Sequence, residues 1–387
     1  MGKRVAEGIK RVKQSQRELE SSILRRCASG RDRLDKRLAT GVKIIKVAPG
    51  STGSKDFPRL WKRDEGDRTK IRGSAEWYIP RRADLRRRML FLHGGSYVVY
   101  APCDSVYRSL ASRLASQCGL CVLSIDYRLA PEHRFPAAFE DACVCFCRRC
   151  ASSTLETCTS AVRHKYTCSL QDACAALKWL SVNGPPEVNG QGKVKGAPFS
   201  ASPARDLFVC GDSAGGGLAL AASMAQRAFV RERLRGVIGL SAWNDLTAST
   251  PSYDTRQWCP EQCWGDAVNA GVDRKSGREE AEAYLGRRGV QLHGRDWRAS
   301  PFFAPAGRLR ALPSVLLQVG DFELILDESV LLHKRLEKLG HPDARVDVYP
   351  RMWHCWHQYE EGSGLGTLSQ AKKALRDVKK WVEARIT

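Results

Sequence analysis

The chain has no apolar run long enough to span a bilayer; its longest are broken by Arg, Lys or Gly. Its first residues carry no apolar stretch of the kind that directs secretion, so no secretory signal is expected. Met1-Gly2 opens like a myristoylation signal, but Ala6 stands where Ser or Thr belongs. An Arg-rich start suits an organelle transit peptide, and Glu7, Glu18 and Glu20 count against that reading. A cytoplasmic location is the expectation that remains. Acidic residues are also short, with 42 Asp and Glu against 63 Lys and Arg, which leaves a net charge of +21. Such an excess suits a polyanion partner or an anionic membrane surface. The basic residues are dispersed, however, with clusters at Arg81-Arg82, at Arg86-Arg87-Arg88 and through the first fifty positions. No zinc-finger, RNA-recognition or helix-turn-helix signature accompanies them, so no nucleic-acid partner is expected. Weak contact between the basic N-terminus and an anionic membrane stays open as an alternative, and the oligomeric state is not fixed by the sequence.

What the chain does contain suits a globular α/β protein. At 387 residues, with 43% hydrophobic and 27% charged residues, it can bury one large domain or two smaller ones. The organising stretch is Leu207-Phe208-Val209-Cys210-Gly211-Asp212-Ser213-Ala214-Gly215-Gly216-Gly217. Four apolar residues read as a buried strand, and the run from Leu218 reads as a helix. Between them lies G-x-S-x-G, centred on Ser213. A serine at a tight strand-to-helix turn projects its hydroxyl away from the backbone, and small neighbours permit the turn. The helix N-terminus behind it offers N–H donors where an oxyanion would form. Alone, the pentapeptide also suits an ordinary Gly-rich turn.

Residues 1–46 have helical periodicity at Val5, Ile9, Val12, Leu19, Ile23 and Leu24. They read either as an amphipathic lead-in packed over a neighbouring domain or as a partly disordered basic tail. Pro49 to Ser54 reads as a linker. Strands are expected at Ala75 to Ile79 and at Met89 to Leu92. The second runs into His93-Gly94-Gly95-Ser96-Tyr97, where a glycine pair lets backbone N–H groups converge on one point. A helix is expected from Val106 to Cys118, and further strands at Cys121 to Ile125, Val237 to Ser241, Ser314 to Val319 and Ala344 to Tyr349.

His-Gly-Gly, then Asp126-Tyr-Arg-Leu-Ala-Pro-Glu132, Phe135-Pro-Ala-Ala and Gly211-Asp-Ser-Ala-Gly-Gly together resemble the hormone-sensitive-lipase-like branch of the α/β-hydrolases. The resemblance covers residues 73–385. It implies an α/β-hydrolase fold, a mostly parallel central sheet flanked by helices, with a helical cap. The implied organisation is a basic N-terminal segment over residues 1–72, partly helical cap or disordered, and a hydrolase domain over residues 73–387. Residues 247–300 would contribute to the cap.

One stretch departs from the family pattern. The helix begun at Phe135 would run on to something like Cys174-Ala-Ala-Leu-Lys-Trp-Leu180, yet residues 143–173 intervene. Asp-Ala-Cys occurs at both junctions, and the insert holds Cys143, Cys145, Cys147, Cys150, Cys158 and Cys168. A thiolate metal site with His164 is one reading, although its spacing matches no common zinc pattern. A disulfide-bonded loop would need an oxidising compartment. The favoured reading is a retained intron or gene-model error that, if translated, forms a disordered excursion.

Serine keeps its proton at neutral pH and needs an imidazole to remove it, with a carboxylate to orient that ring. Ser213 is therefore the expected nucleophile. His354 follows the last strand in Met-Trp-His, which resembles the family motif, and is the expected base; His357 is the rival and otherwise an exposed loop histidine. The resemblance places the acid at Glu323, with Asp327 as the alternative and Asp321 behind it. Asp327 and Glu328 otherwise read as helix N-terminal acids. Backbone N–H groups of Gly94, Gly95 and Ala214 are the expected oxyanion donors. Ser96 stands where a third glycine is frequent and would narrow the pocket. Asp212 reads as structural. No cofactor and no metal are expected. The resemblance implies cleavage of carboxylic esters with short- to medium-chain acyl groups. A deacetylase, or a small-molecule receptor on the same fold, is the alternative; receptors of this kind lack the catalytic histidine.

Overall fold

A computed structural model of the chain describes residues 42–47, 75–135, 168–185, 200–226, 228–360 and 365–387. Eight strands form one sheet. They are β1 (Val42–Val47), β2 (Ala75–Pro80), β3 (Arg87–Leu92), β4 (Cys121–Ile125), β5 (Asp206–Asp212), β6 (Leu234–Leu240), β7 (Ser314–Gly320) and β8 (Ala344–Tyr349). Their spatial order is β1-β2-β4-β3-β5-β6-β7-β8. β2 runs antiparallel to both β1 and β4, and every other pairing is parallel.

Successive side chains on a strand point to opposite faces, and the sequence fills both faces with apolar groups, as a covered parallel sheet requires. Leu90, Leu92, Leu207, Val209, Val315 and Leu317 enter one core, with α2 (Cys168–Leu180), α3 (Ala214–Ala225), α4 (Arg274–Leu285) and α5 (Leu326–Lys338). Their alternates Met89, Phe91, Phe208, Cys210 and Leu316 enter the other, with α1 (Ser105–Cys118) and α6 (Ser369–Glu383). In α1 the buried residues Val106, Tyr107, Leu110, Ala111, Leu114 and Ala115 fall on one helical stripe. Burying each Leu there is worth about 1.5–3 kcal/mol. α3 is buried on every side, because it carries the elbow into the centre of the molecule.

Two expectations need correction. Val42–Val47 is a strand, although its first residues belong to the stretch with helical periodicity and all of it to the segment assigned outside the hydrolase domain. Its β-branched Val-Lys-Ile-Ile-Lys-Val sequence favours a pleated edge, and it pairs from Val42 opposite Pro80 to Val47 opposite Ala75. The second correction concerns the insert. Residues 168–173 are the first turns of α2, with Ser169, Leu170, Asp172 and Ala173 buried. Leu170 and Ala173 fall in helical register with Leu177 and Leu180. Asp172 also pairs with Arg128 at 3.0 Å, tying this turn to the Tyr-Arg-Leu-Ala-Pro segment. The remainder of the insert, residues 143–167, and the N-terminal lead-in before residue 42 lie outside the described residues.

Parallel register aligns the carboxyl ends of five strands along one edge. Leu92 is opposite Gly211, Asp212 opposite Leu240, Leu240 opposite Gln318, and Gly320 opposite Tyr349. Loops leaving that edge converge, which is where sheets of this kind place ligands.

Candidate active site

Ser213 sits between β5 and α3 at φ 51° and ψ −124°. For a non-glycine residue this backbone costs about 1–3 kcal/mol and persists only when its surroundings enforce it. Those surroundings are close. A Cβ added to Gly215 would stand 2.1 Å from the Leu92 carbonyl oxygen, so only glycine lets the start of α3 pass β3 at this distance. The Ser213 carbonyl accepts from the N–H of Trp243 at 2.9 Å and its own N–H donates to Leu240, fixing the turn from both sides.

The loop after β8 brings His354 to the elbow. Its Nε2 lies 2.9 Å from Ser213 Oγ, and its Nδ1 lies 3.1 Å from Glu323 Oε2. Since an ionised carboxylate only accepts, Nδ1 carries the proton and Nε2 is free to accept from the serine hydroxyl. Glu323 is wholly buried, and its Oε1 accepts from Ser241 Oγ at 2.7 Å and from the Gly320 N–H at 2.6 Å. Burial pushes the Glu323 carboxyl up, while the bond and charge of His354 draw it back. Burial alone would lower the His354 pKa, but the net direction is upward. Cys355 and Glu323 act in that upward direction; because burial holds the Cys355 thiol at about 12, the push that persists at neutral pH is that of Glu323.

His93, Gly94 and Gly95 leave β3 directly beside the elbow. A Cβ built on Gly94 would lie 3.0 Å from Ser213 Cβ, so the loop and the nucleophile are in contact. Gly95 has φ 104°, which a side chain would resist, and this turn aims the loop backbone at the serine. Tyr127 holds the loop from behind, donating from its hydroxyl to the His93 carbonyl at 2.6 Å. Ala214 is the first residue of α3, so its N–H has no acceptor within the helix.

The other acids are placed elsewhere. Asp327, the alternative acid, stands partly exposed in the first turn of α5, with its backbone N–H on Ser252 Oγ. Asp321 accepts from the Arg351 N–H. Glu328 stands in the first turn of α5 as read, but it is fully buried and accepts from the N–H groups of Asn244 and Asp245 at 2.5 and 2.9 Å. His357 is buried rather than exposed, stacked on Trp356 at 3.9 Å, and burial lowers its pKa to about 3. Asp212 is buried, and desolvation raises its carboxyl to about 6; it accepts from Gln358 Nε2 at 2.9 Å. It thereby ties the elbow to the histidine loop.

Two residues beside the line carry no local sequence signal. Ser241 donates to Glu323 and accepts from the Cys355 N–H at 3.3 Å. Asp266, between β6 and α4, is fully buried and accepts from the backbone N–H groups of His354 and Leu324 at 3.1 and 3.2 Å. One carboxylate therefore positions the loops of both the imidazole and the acid. Among the described residues no group of His, Cys, Asp and Glu is arranged to hold a metal ion, and no helix is long and apolar enough to cross a membrane.

The family model describing the α/β-hydrolase fold matches residues 89–159 and 146–358. The chain belongs to the α/β-hydrolase family. The overlap of the two matched stretches falls inside the cysteine-rich insert. Among curated relatives of this α/β-hydrolase is an acetyl-hydrolase of Streptomyces hygroscopicus, 32% identical over 287 residues, covering 74% of this chain and 73% of the relative. An esterase of Acinetobacter venetianus is 25% identical over 302 residues, covering 78% of this chain and 76% of the relative. A crystal structure of an esterase from the bacterial hormone-sensitive lipase family superposes with TM-score 0.59 at 23% identity, covering 98% of this chain and 99% of that one. That last likeness concerns the fold. The relatives named acetyl-hydrolase and esterase group the chain with carboxylic ester hydrolases of this fold.

Proposed function

We propose that this α/β-hydrolase cleaves carboxylic esters through Ser213, His354 and Glu323. The observation that carries the reading is the hydrogen-bonded line from Ser213 Oγ through His354 to Glu323, with contacts of 2.9 and 3.1 Å. Ser213 Oγ attacks the acyl carbon as its proton passes to His354 Nε2, and the Glu323 carboxylate stabilises the resulting imidazolium. The backbone N–H groups of Gly94, Gly95 and Ala214 receive the oxyanion. His354 then gives its proton to the leaving alcohol, and an acyl-serine remains. Water attacks that ester with His354 taking its proton, and the acid departs with Ser213 restored.

Esters with short- to medium-chain acyl groups are the proposed substrates, and relatives named esterase and acetyl-hydrolase support ester cleavage. The acetyl-hydrolase name also keeps acetyl-group removal in view as a variant of the same chemistry. A receptor reading fares worse, because an intact histidine bridging serine and carboxylate has no use in binding alone. The test is hydrolysis of p-nitrophenyl acetate, butyrate and octanoate by the full chain, beside Ser213→Ala. Turnover that vanishes in the variant supports the reading, and the chain-length profile reports pocket depth. No turnover of any of the three by folded protein would overturn it.

A further inference from the structure

Ser96 follows the Gly94-Gly95 pair directly and has φ 53°. Its hydroxyl donates to Glu280 Oε1, on the helix that crosses above the glycine loop. That helix, α4, is firmly held. Its start is closed by a reciprocal capping box between Asp273 and Ser276. One turn beyond Glu280, Tyr284 stacks on Tyr97 with ring centres 4.0 Å apart and planes at 12°. Ala281, Tyr284 and Leu285 are buried in the core, whereas Glu280 keeps part of its surface open, as a residue on the wall of a cleft does.

Nearby arginines are engaged elsewhere. Arg274 binds Asp254 and the carbonyls of Ala248 and Thr250, and Arg278 donates to the Thr247 carbonyl at 2.7 Å. Burial raises the Glu280 carboxyl on balance, although the Ser96 bond and the charge of His354 act against it, and a cation at its open face would favour ionisation. An anion beside a developing oxyanion opposes turnover of a neutral ester. A cation on the substrate removes that opposition and gains an attraction, in a site with restricted water. The placement is notable in a chain of net charge +21, since here the local sign is reversed.

We propose that Glu280 makes the cleft selective for esters bearing a positively charged group, a protonated amine or quaternary ammonium, next to the acyl centre. This rests on the ester-hydrolase reading above and specifies its substrate class. Ser96 fixes the carboxylate oxygen nearest the oxyanion loop, and the substrate cation meets the accessible face of Glu280.

The cation can belong to the alcohol or to the acyl part, and two pairs of isosteres separate these sources. Butyrylcholine is compared with 3,3-dimethylbutyl butyrate, and ethyl 4-(trimethylammonio)butyrate with ethyl 5,5-dimethylhexanoate. The full chain is expected to show a kcat/KM ratio of cation to neutral isostere on the order of tenfold or more in one pair. Glu280→Gln should bring that ratio to about one, and labelling of Ser213 by a fluorophosphonate checks that the variant's site is assembled. As a measurement on the unsubstituted chain, choline or trimethylammoniobutyrate should inhibit turnover of a neutral ester at least tenfold better than the neutral isostere. Ratios near one in both pairs, or a preference untouched by Glu280→Gln, overturn the proposal while leaving ester hydrolysis intact. Loss of all Ser213-dependent turnover of the neutral esters overturns the hydrolase reading instead.

Discussion

The floor of the site is formed by the carboxyl ends of five parallel strands, whereas α4, its roof, is a capped helix that meets the glycine loop through side chains. On the floor every chemical group is held at least twice. Glu323 is fixed by His354, Ser241 and the Gly320 N–H, and His354 by Glu323, by Ser213 and through its own N–H by Asp266. On the roof, Glu280 meets the floor through Ser96 and its helix through the Tyr97–Tyr284 stack. Rigid backbone therefore carries the chemistry, and one side chain facing the open space carries the choice among substrates.

Substitutions on the floor should cost most. Ser213→Ala or His354→Ala is expected to lower kcat by roughly 10⁴–10⁶-fold, measured on p-nitrophenyl butyrate with the folded variants. Glu323→Gln should cost roughly 10³–10⁴-fold, since the ring loses its orientation and the imidazolium its counter-charge. Asp327→Asn should stay within about threefold of the parent, because that side chain lies in the first turn of α5 and not at the imidazole. An equal loss in both acid variants would break the assignment.

The pH profile sharpens the same contrast. Turnover needs neutral His354, and the bond and charge of Glu323 favour its protonated form, so kcat/KM should rise with pH through an acidic limb that this pair sets. In Glu323→Gln the imidazolium is no longer favoured, so the acidic limb should move to lower pH even as the plateau falls.

Asp266→Ala should cost about 10–100-fold in kcat, because the loops of base and acid lose a shared anchor. It should also lower Tm, since two buried N–H groups lose their acceptor at about 1–3 kcal/mol each. A small effect also belongs to the roof. Tyr284→Leu removes the stack on Tyr97, worth about 1 kcal/mol beyond its area, and should alter kcat on neutral esters less than tenfold.

Ser213, the glycine pair and His354 were legible because each signal is local: an apolar strand ends and a small or ionisable residue follows at once. The parallel sheet was legible for the same reason, from short apolar runs with turns between. Glu323 came through family resemblance, since the three candidates Asp321, Glu323 and Asp327 lie within seven residues and suit the role equally by composition. Asp266 and Ser241 had no signal at all; their contacts cross 88 and 82 residues of chain and depend on how loops meet in space. β1 was misread because a six-residue strand with two lysines, beside a stretch of helical periodicity, offers too little alternation to declare itself. His357 was misread as an exposed loop residue because polarity suggests exposure, whereas an aromatic stack buries it.

The central claim is tested most directly by trapping the acyl-enzyme. The full chain is mixed with p-nitrophenyl butyrate, quenched in acid within the first turnovers, digested and analysed by mass spectrometry. The account predicts a butyryl group on the peptide carrying Ser213, accumulating with a burst of p-nitrophenol and absent from Ser213→Ala. A butyryl group on another residue, or undiminished turnover in Ser213→Ala, would contradict it.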